Sequence, residues 1–340
     1  MKPYSLSIVF LFAIFSFNGK AADLPFDVVL DGLKNPCGVA IQPVAGHVFV
    51  SESGAGKIVR ILDGKPEDVI TGFPIDNYGK GPTYKIGPLG IAFLNQQFLI
   101  VGGGGLLDGE ELVRIYKIPE PGEPAIDAAK MHKALGPLKA DGDLAGEGNF
   151  YGVAVTKAAI LVTSNGDDTK GWLAKSSYKS PEAIEPLERF IATKEHVDVD
   201  APTAITVGPK DHIIVGQMGE IDKANDSLLT FYDAASSKLL LSLKTGLHDI
   251  VALAYGSPHE PSKKSHLYAL DFSWSQPSEG GLFRLDASLD EEGRQKITST
   301  RLSALEKPTA MALGADKALY VTILGKDEES GQLIKFKPGL

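Results

Sequence analysis

The six residues Pro36-Cys37-Gly38-Val39-Ala40-Ile41 combine a turn residue, a small residue and a hydrophobic-small-hydrophobic run. The pattern recurs five times along the chain, as Pro88-Leu89-Gly90-Ile91-Ala92-Phe93, Phe150-Tyr151-Gly152-Val153-Ala154-Val155, Pro202-Thr203-Ala204-Ile205-Thr206-Val207, His248-Asp249-Ile250-Val251-Ala252-Leu253 and Pro308-Thr309-Ala310-Met311-Ala312-Leu313. Its fifth position falls at residues 40, 92, 154, 206, 252 and 312, so the successive spacings are 52, 62, 52, 46 and 60 residues. A repeat of about 40 to 60 residues that contains only β-rich runs is typical of one four-stranded propeller blade.

Two further β-rich runs follow most copies of this pattern, for example residues 47–50 and 57–61 after the first copy. The small residues allow the innermost strands to approach each other around a central axis. The last repeat stops after its third run, whereas residues 25–30 form an unpaired strand before the first repeat. The sequence therefore predicts an all-β, six-bladed β-propeller over residues 22–340, with its last blade closed by the N-terminal strand.

Residues 1–21 have the organisation of an export signal. Lys2 precedes an apolar run at residues 6–17, and the small-residue site Gly19-Lys20-Ala21 follows it. The run is shorter than the roughly 18 apolar residues that a membrane-spanning helix needs, and no later run reaches that length. We therefore expect a periplasmic or secreted protein that has no membrane insertion after signal cleavage.

The composition excludes several classes of partner and chemistry. The chain has 34 Lys and Arg residues against 43 Asp and Glu residues, a formal charge of -9, which becomes -11 when Lys2 and Lys20 are removed with the signal. This charge repels nucleic acid, so we expect no nucleic-acid partner, and we expect a monomer. The single cysteine, Cys37, excludes an internal disulfide and any paired-cysteine zinc, redox or haem motif. Cys37 is predicted to be a small buried hydrophobe.

Two stretches, residues 35–61 and 308–322, resemble repeats of NHL-type propellers. They also resemble the wider six-bladed group of SMP-30/gluconolactonase-like hydrolases, strictosidine-synthase-like proteins and quinoprotein glucose/sorbosone dehydrogenases. The resemblance covers nearly the whole chain after residue 21 and rests on structural motifs. It implies the fold and does not by itself specify an activity.

The predicted ligand-binding face is the one that carries the long loops after the second strands. These loops are rich in acidic residues, and long loops on a rigid ring are the usual place for binding. The residues expected to bind a ligand there are Glu52, Tyr151, His248, Asp249 and Asp271. The leading hypothesis is a non-catalytic protein that binds a small molecule, a peptide or a protein partner at this acidic face.

Calcium or another divalent cation is the predicted cofactor, with Glu147, Asp249 and Asp271 as ligands, because hard cations prefer carboxylate oxygen. The alternative hypothesis is therefore a divalent-metal-dependent hydrolase. The gluconolactonase-like family holds its metal with Glu, Asn and Asp at the starts of first strands. Of the corresponding residues here only Asp249 is a carboxylate, and Gly146-Glu147-Gly148-Asn149 resembles the Gly-Glu-Gly of that family.

A quinoprotein sugar dehydrogenase is a third, less favoured hypothesis. That class needs a general base and cations that bind the carboxylates of the quinone. His248 is the candidate base, and Lys170, Lys223 and Lys326 are the candidate cations.

Overall fold

The computed structural model describes residues 23–79, 82–166, 169–199, 201–259 and 261–340. The predicted signal peptide at residues 1–21 lies outside this part of the chain. The described strands form six blades, and the innermost strands contact each other in a closed cycle from the first blade to the sixth and back. The six-bladed β-propeller predicted from the repeats is thereby confirmed. Among the described residues, no helix has the length and apolar character needed to cross a membrane.

Strand β1 (Phe26–Leu33) comes first in the described chain and belongs to the last blade. Blade 1 consists of β2 (Pro36–Ile41), β3 (Val48–Glu52), β4 (Lys57–Leu62) and β5 (Lys65–Thr71), with a 3-10 turn at Ser53–Ala55. A hairpin of β6 (Asp76–Tyr78) and β7 (Tyr84–Ile86) precedes blade 2. Blade 2 contains β8 (Pro88–Phe93), β9 (Phe98–Gly103), β10 (Val113–Lys117) and β12 (Lys133–Leu135). Between β10 and β12 the chain returns to blade 1, where β11 (Ile126–Asp127) pairs in parallel with β5.

The second half of the chain builds the remaining blades in the same way. Blade 3 has β13 (Val153–Val155), β14 (Ala159–Ser164), β15 (Trp172–Ser180), the short β16 (Ala183–Ile184) and β17 (Glu188–Ala192), followed by helix α1 (Thr193–His196). Blade 4 has β18 (Pro202–Val207), β19 (Ile213–Gln217), β20 (Leu228–Tyr232) and β21 (Leu239–Lys244). Blade 5 has β22 (Ile250–Tyr255), β23 (Leu267–Asp271), a 3-10 turn at Pro277–Glu279, β24 (Gly281–Leu289) and β25 (Gln295–Ala304). Blade 6 has β26 (Pro308–Leu313), β27 (Leu319–Ile323), β28 (Gly331–Phe336) and β1.

The pairing of β1 with β28 closes the ring, as the sequence predicts. The two strands are antiparallel, with Phe26 opposite Phe336, and their rings meet edge to face at 5.6 Å between centroids. The outer position of β1 leaves Phe26 37% and Val28 51% exposed, whereas Leu33 is buried. Main-chain pairing and the burial of Leu33 therefore hold the closing strand in place.

Close packing of the inner strands explains the small residue in the repeated pattern. A Cβ atom built on Gly90 would lie 1.8 Å from the carbonyl oxygen of Tyr151 in the next blade. At Gly152 the same atom would lie 2.3 Å from the carbonyl oxygen of Thr203. Real Cβ atoms do not approach oxygen so closely, so these positions require glycine.

Hydroxyl side chains on the first or second strand of one blade bind the inner strand of the next blade at four of the six junctions, counted over the described residues. In each case the hydroxyl donates to an inner-strand carbonyl of the following blade: Ser51 to Leu89, Thr163 to Thr203, Thr203 to Ile250, and Thr309 to Pro36. Blades 2 and 5 have no hydroxyl at the corresponding positions. Leu89 and Gly102 occupy them in blade 2, and Val251 and Leu270 in blade 5.

The hydrophobic core is distributed between the blades. Five clusters of buried side chains each draw on two adjacent blades, and the sixth, between blades 5 and 6, also includes Cys37 of blade 1 and Leu89 of blade 2. Between blades 1 and 2, for example, Phe49 and Ile58 pack with Leu99 and Tyr116, all fully buried. Burial of this apolar surface fixes the position of each blade against its neighbours.

Candidate ligand-binding site

A cavity opens on the axis at the face where first strands begin and second strands end, which is the face that carries the long loops. Its volume is about 100 Å³. Aliphatic side chains of Ile86, Leu89, Val251 and Leu324 form part of its wall. Of the residues that line it in the described chain, none carries a formal charge at neutral pH. The cavity is therefore suited to an apolar, uncharged group.

Three aromatic side chains form one wall of this cavity. Tyr84 and Trp274 meet at 90° with their ring centroids 5.4 Å apart, and Phe272 lies 5.2 Å from Trp274. The ammonium group of Lys307 lies 5.4 Å from the centroid of the Tyr84 ring, a cation–π geometry. Tyr84 is perpendicular to both other rings, so the three side chains form one continuous aromatic wall.

Tyr151 closes the channel below the cavity. It starts from the inner edge of blade 3, and its hydroxyl donates a 2.8 Å hydrogen bond to the carbonyl oxygen of Thr309 in blade 6, on the opposite side of the ring. Tyr151 also lines the narrow channel beneath, and the bond from its hydroxyl to Thr309 crosses the axis between the cavity and that channel. Burial raises the pKa of Tyr151 well above that of a free phenol, so the side chain remains a neutral donor.

Cys37 lies beside Tyr151 and lines the same cavity. Its side chain is buried, as the sequence predicts, and its thiol lies 3.4 Å from the carbonyl oxygen of Asn35. Burial raises the pKa of Cys37 to about 12. The residue is therefore a thiol at physiological pH and contributes apolar surface to the cavity.

A wider mouth leads from the cavity to the surface, with a volume of about 390 Å³. Tyr78, Met218 and Trp274 line both the cavity and the mouth, so the two spaces are continuous. The acidic residues Asp76, Asp108 and Glu220 line only the mouth. The loops predicted to form an acidic binding face thus surround an uncharged interior.

Two buried carboxylates of the predicted site hold the loop that carries the aromatic wall. Asp271 accepts hydrogen bonds from the main-chain N–H groups of His248, Asp249 and Ser273, at 2.9, 2.8 and 3.0 Å. Asp249 accepts a 2.5 Å hydrogen bond from the main-chain N–H of Trp274 through Oδ2. Neither carboxylate lines the cavity, so both act on the site through the loop at Phe272 and Trp274.

The buried position of these carboxylates changes their acidity. Burial raises the pKa of Asp249 to about 7; the Trp274 N–H opposes this effect, and the charge of Asp271 adds to it. Burial also raises the pKa of Asp271, while its main-chain donors oppose the rise. Asp249 Oδ1 is buried and has no hydrogen-bond partner among the described residues. The carboxylate of Asp249 is therefore only partly stabilised.

Two other residues of the predicted ligand-binding set lie outside the cavity. Nε2 of His248 lies 3.0 Å from Glu279, and its Nδ1 accepts a hydrogen bond from the main-chain N–H of Asn225. Glu52 accepts a hydrogen bond from the main-chain N–H of Lys34. Neither His248 nor Glu52 is among the residues that line the cavity or its mouth. Of the five predicted residues, only Tyr151 lines the cavity.

The three predicted metal ligands are divided between two places. Asp249 and Asp271 are adjacent in blade 5, whereas Glu147 precedes blade 3, where it accepts a 2.6 Å hydrogen bond from Ser164 and faces Arg189 at 3.9 Å. The described residues contain no group of three or more His, Cys, Asp or Glu side chains that could hold a metal ion. The structure therefore does not bring Glu147 together with Asp249 and Asp271, and main-chain and side-chain donors already engage these carboxylates.

The aromatic wall was not predicted from the sequence. Tyr84 lies in the hairpin before blade 2, and Phe272 and Trp274 follow the second strand of blade 5. Aromatic residues in the loops of the predicted binding face could have indicated it, because Phe272 and Trp274 lie within three positions of Asp271.

Comparison with known proteins finds similarity at the level of the fold. No family model and no curated protein matches the sequence. Among solved structures, a glucose dehydrogenase is 16% identical, with a TM-score of 0.60 over 93% of this chain and 100% of that one. A gluconolactonase from Xanthomonas campestris is 11% identical, with a TM-score of 0.56 over 91% and 88% of the two chains. The PQQ-bound aldose sugar dehydrogenase of Streptomyces coelicolor is 11% identical, with a TM-score of 0.54 over 94% and 99%. This chain therefore shares the six-bladed propeller fold of gluconolactonase and sugar dehydrogenase structures.

Proposed function

We propose that this protein binds a small molecule in the axial cavity, which the molecule reaches through the mouth on the long-loop face. The observation that carries the proposal is an uncharged, aromatic-walled cavity that continues into a mouth of about 390 Å³. Concave apolar sites with a few polar groups are the usual form of small-molecule sites. Tyr151 forms the floor, so the ligand enters and leaves from one side.

Binding can be tested by filling the cavity. Met218 lines both the cavity and the mouth, so Met218→Trp is expected to block the site. Met131 packs against the core between blades 1 and 2, away from the cavity, and Met131→Trp is the matched control. A ligand found by thermal shift should raise the Tm of the parent and the control but not of Met218→Trp, since ligands stabilise the state that binds them. A shift that persists in Met218→Trp would contradict the proposal, as would the absence of any shift across a broad compound library.

A second candidate function is turnover of the bound molecule. It is favoured by the fold similarity to structures named as gluconolactonase and sugar dehydrogenase, which extends over more than nine-tenths of this chain. The described side chains do not match the demands of either cofactor. A divalent cation needs a set of ligands that the described residues do not bring together, and the carboxylates of PQQ need cations that the cavity wall does not supply.

Catalysis and metal binding can be tested together. Lactone hydrolysis should be measured with calcium, magnesium, manganese and zinc, and aldose oxidation should be measured with added PQQ. Activity that Met218→Trp abolishes and Met131→Trp retains would favour turnover over binding alone. A calcium- or magnesium-dependent rise in Tm that Asp249→Ala abolishes would support the cation site expected from the sequence. If neither activity nor a metal-dependent shift is detected, the hydrolase and dehydrogenase hypotheses should be abandoned.

A further inference from the structure

The polar side chains of the cavity wall are largely engaged within the protein. Thr203 donates to the carbonyl oxygen of Ile250, and Thr309 donates to that of Pro36. The Tyr151 hydroxyl is bound to the Thr309 carbonyl. A polyhydroxylated ligand would lose its hydrogen bonds to water in this cavity without regaining them from these groups. These three groups therefore offer little hydrogen bonding to a free sugar.

Two donors on the aromatic wall remain without a partner. The Tyr84 hydroxyl and the Trp274 Nε1–H are buried and have no hydrogen-bond partner among the described residues. Both residues line the cavity, and their rings are in edge-to-face contact. An indole N–H can only donate, and a ligand that meets it must therefore present an acceptor.

The charges around the site restrict the form of that acceptor. Asp76, Asp108 and Glu220 line the mouth, so a carboxylate or phosphate ligand would be repelled on the way in. A cationic ligand is disfavoured near Tyr84, because the ammonium group of Lys307, which does not line the cavity, lies over the Tyr84 ring. An uncharged acceptor, such as a carbonyl oxygen, meets both conditions.

Resting on the proposed function, we infer that the ligand is an uncharged aromatic or alicyclic compound that carries a carbonyl group. Its ring system packs against Phe272 and Trp274, and its carbonyl oxygen accepts from Trp274 Nε1 or the Tyr84 hydroxyl. The inner volume of about 100 Å³ is smaller than the apolar cavity of about 150 Å³ that holds benzene, so it takes at most one ring and the rest of the ligand occupies the mouth. Larger substituents extend into the mouth.

Four probes separate these features. 1-Indanone has the ring system and the carbonyl, indane has the rings alone, indane-1-carboxylate adds a negative charge, and glucose is a polyol. Trp172 and Trp274 are the two tryptophans of the chain, so a Trp172→Phe background makes Trp274 the fluorescent reporter of its own site. We expect 1-indanone to change Trp274 emission and to bind about threefold to tenfold more tightly than indane, the difference typical of one hydrogen bond.

Tyr84→Phe keeps the ring and removes the hydroxyl donor, whereas Trp274→Phe removes the N–H donor together with part of the indole ring. Calorimetry should show that at least one of them removes the preference for 1-indanone over indane while it leaves indane binding unchanged. Retained parental Tm in both variants serves as the folding control.

The outcomes distinguish this inference from the proposed function. Equal binding of indane and 1-indanone would overturn the acceptor requirement. If glucose or indane-1-carboxylate binds more tightly than 1-indanone, and Met218→Trp blocks that binding, the ligand class is wrong. The small-molecule site itself would still be supported. If no probe binds and the library screen with Met218→Trp is also negative, both proposals fail.

Discussion

The hydroxyl of Tyr151 and the carbonyl oxygen of Thr309 lie 2.8 Å apart across the axis of the ring, and this bond joins blade 3 to blade 6. Most contacts between the blades of a propeller join adjacent blades, whereas this hydrogen bond joins two blades on opposite sides of the ring. It forms the floor of the cavity and fixes the phenol ring in the channel. Its removal should therefore affect both halves of the ring.

Tyr151→Phe should lower the free energy of unfolding by about 1 kcal/mol, the typical net value of one hydrogen bond. The control is Tyr178→Phe, which removes a 2.7 Å hydrogen bond from Tyr178 to the carbonyl oxygen of Thr156 within blade 3. Both variants should be measured by chemical denaturation. Only Tyr151→Phe should also speed amide hydrogen exchange in both β13 and β26, and equal exchange in the two variants would argue against a link across the axis.

Asp249 should make the protein less stable as the pH rises from about 4 to 7. Burial raises its folded-state pKa from the model-peptide value of 3.8 to about 7, so within this window the folded state binds more protons than the unfolded state. The contribution is present below pH 4 and is lost as the pH rises through 7.

Asp249→Asn should remove this part of the pH dependence, so its unfolding free energy should fall less than that of the parent between pH 4 and 7. Denaturant titrations at several pH values measure the difference. Asp27→Asn, at an exposed position of β1, is the control for the loss of one carboxylate. Identical pH profiles in the parent and Asp249→Asn would contradict the raised pKa.

Leu33 should contribute more to ring closure than the exposed apolar residues of the same strand. Leu33→Ala removes a buried side chain and should cost about 2 to 3 kcal/mol of stability. Val28→Ala, at a half-exposed position, should cost less than about 1 kcal/mol. Thermal and denaturant unfolding compare the two variants, and a larger loss at Val28 would show that the closing strand is anchored differently.

Gly90→Ala should be strongly destabilising, because its Cβ would lie 1.8 Å from the Tyr151 carbonyl oxygen and the inner strands would have to separate. Such overpacking typically costs about 1 to 3 kcal/mol, and this contact is closer than most. Gly64→Ala is the control. Its φ of +74° carries the left-handed penalty of about 1 kcal/mol, but no atom lies within 4 Å of its added Cβ. Similar unfolding free energies for the two variants would contradict the close-packing argument.

The fold was predictable because each inner strand needs a small residue where it packs closely against the next blade. Glycine and alanine recur where a blade meets the next, and Gly90 and Gly152 show the reason in their distances to neighbouring carbonyl groups. The closing strand followed from the missing fourth strand of the last repeat, and its pairing is confirmed by the register of Phe26 with Phe336. The third strand of blade 3, Trp172–Ser180, was not recognised, because its polar residues interrupt the alternation.

The site was only partly predictable because its residues do not repeat. Tyr151 was found through its place at the start of a first strand. Asp249 and Asp271 do not line the cavity, and the main-chain N–H groups that they bind belong to a loop whose path the sequence does not reveal. Tyr84 and Trp274 meet only in the folded chain, 190 positions apart in sequence. No local pattern could have paired them.

The ring of hydroxyl-to-carbonyl bonds has a consequence for the mechanics of the molecule. No such bond is present between blades 2 and 3 or between blades 5 and 6, and these two junctions are diametrically opposite. The bonds therefore link blades 6, 1 and 2 into one arc and blades 3, 4 and 5 into another. Tyr151 and Thr309 bridge these arcs across the axis. The protein should therefore flex as two half-rings about a line through these junctions, with the fastest hydrogen exchange along that line. A molecule seated between Leu324 of one half and Phe272 of the other would act as a clamp, and exchange that is uniform around the ring would show that no such line exists.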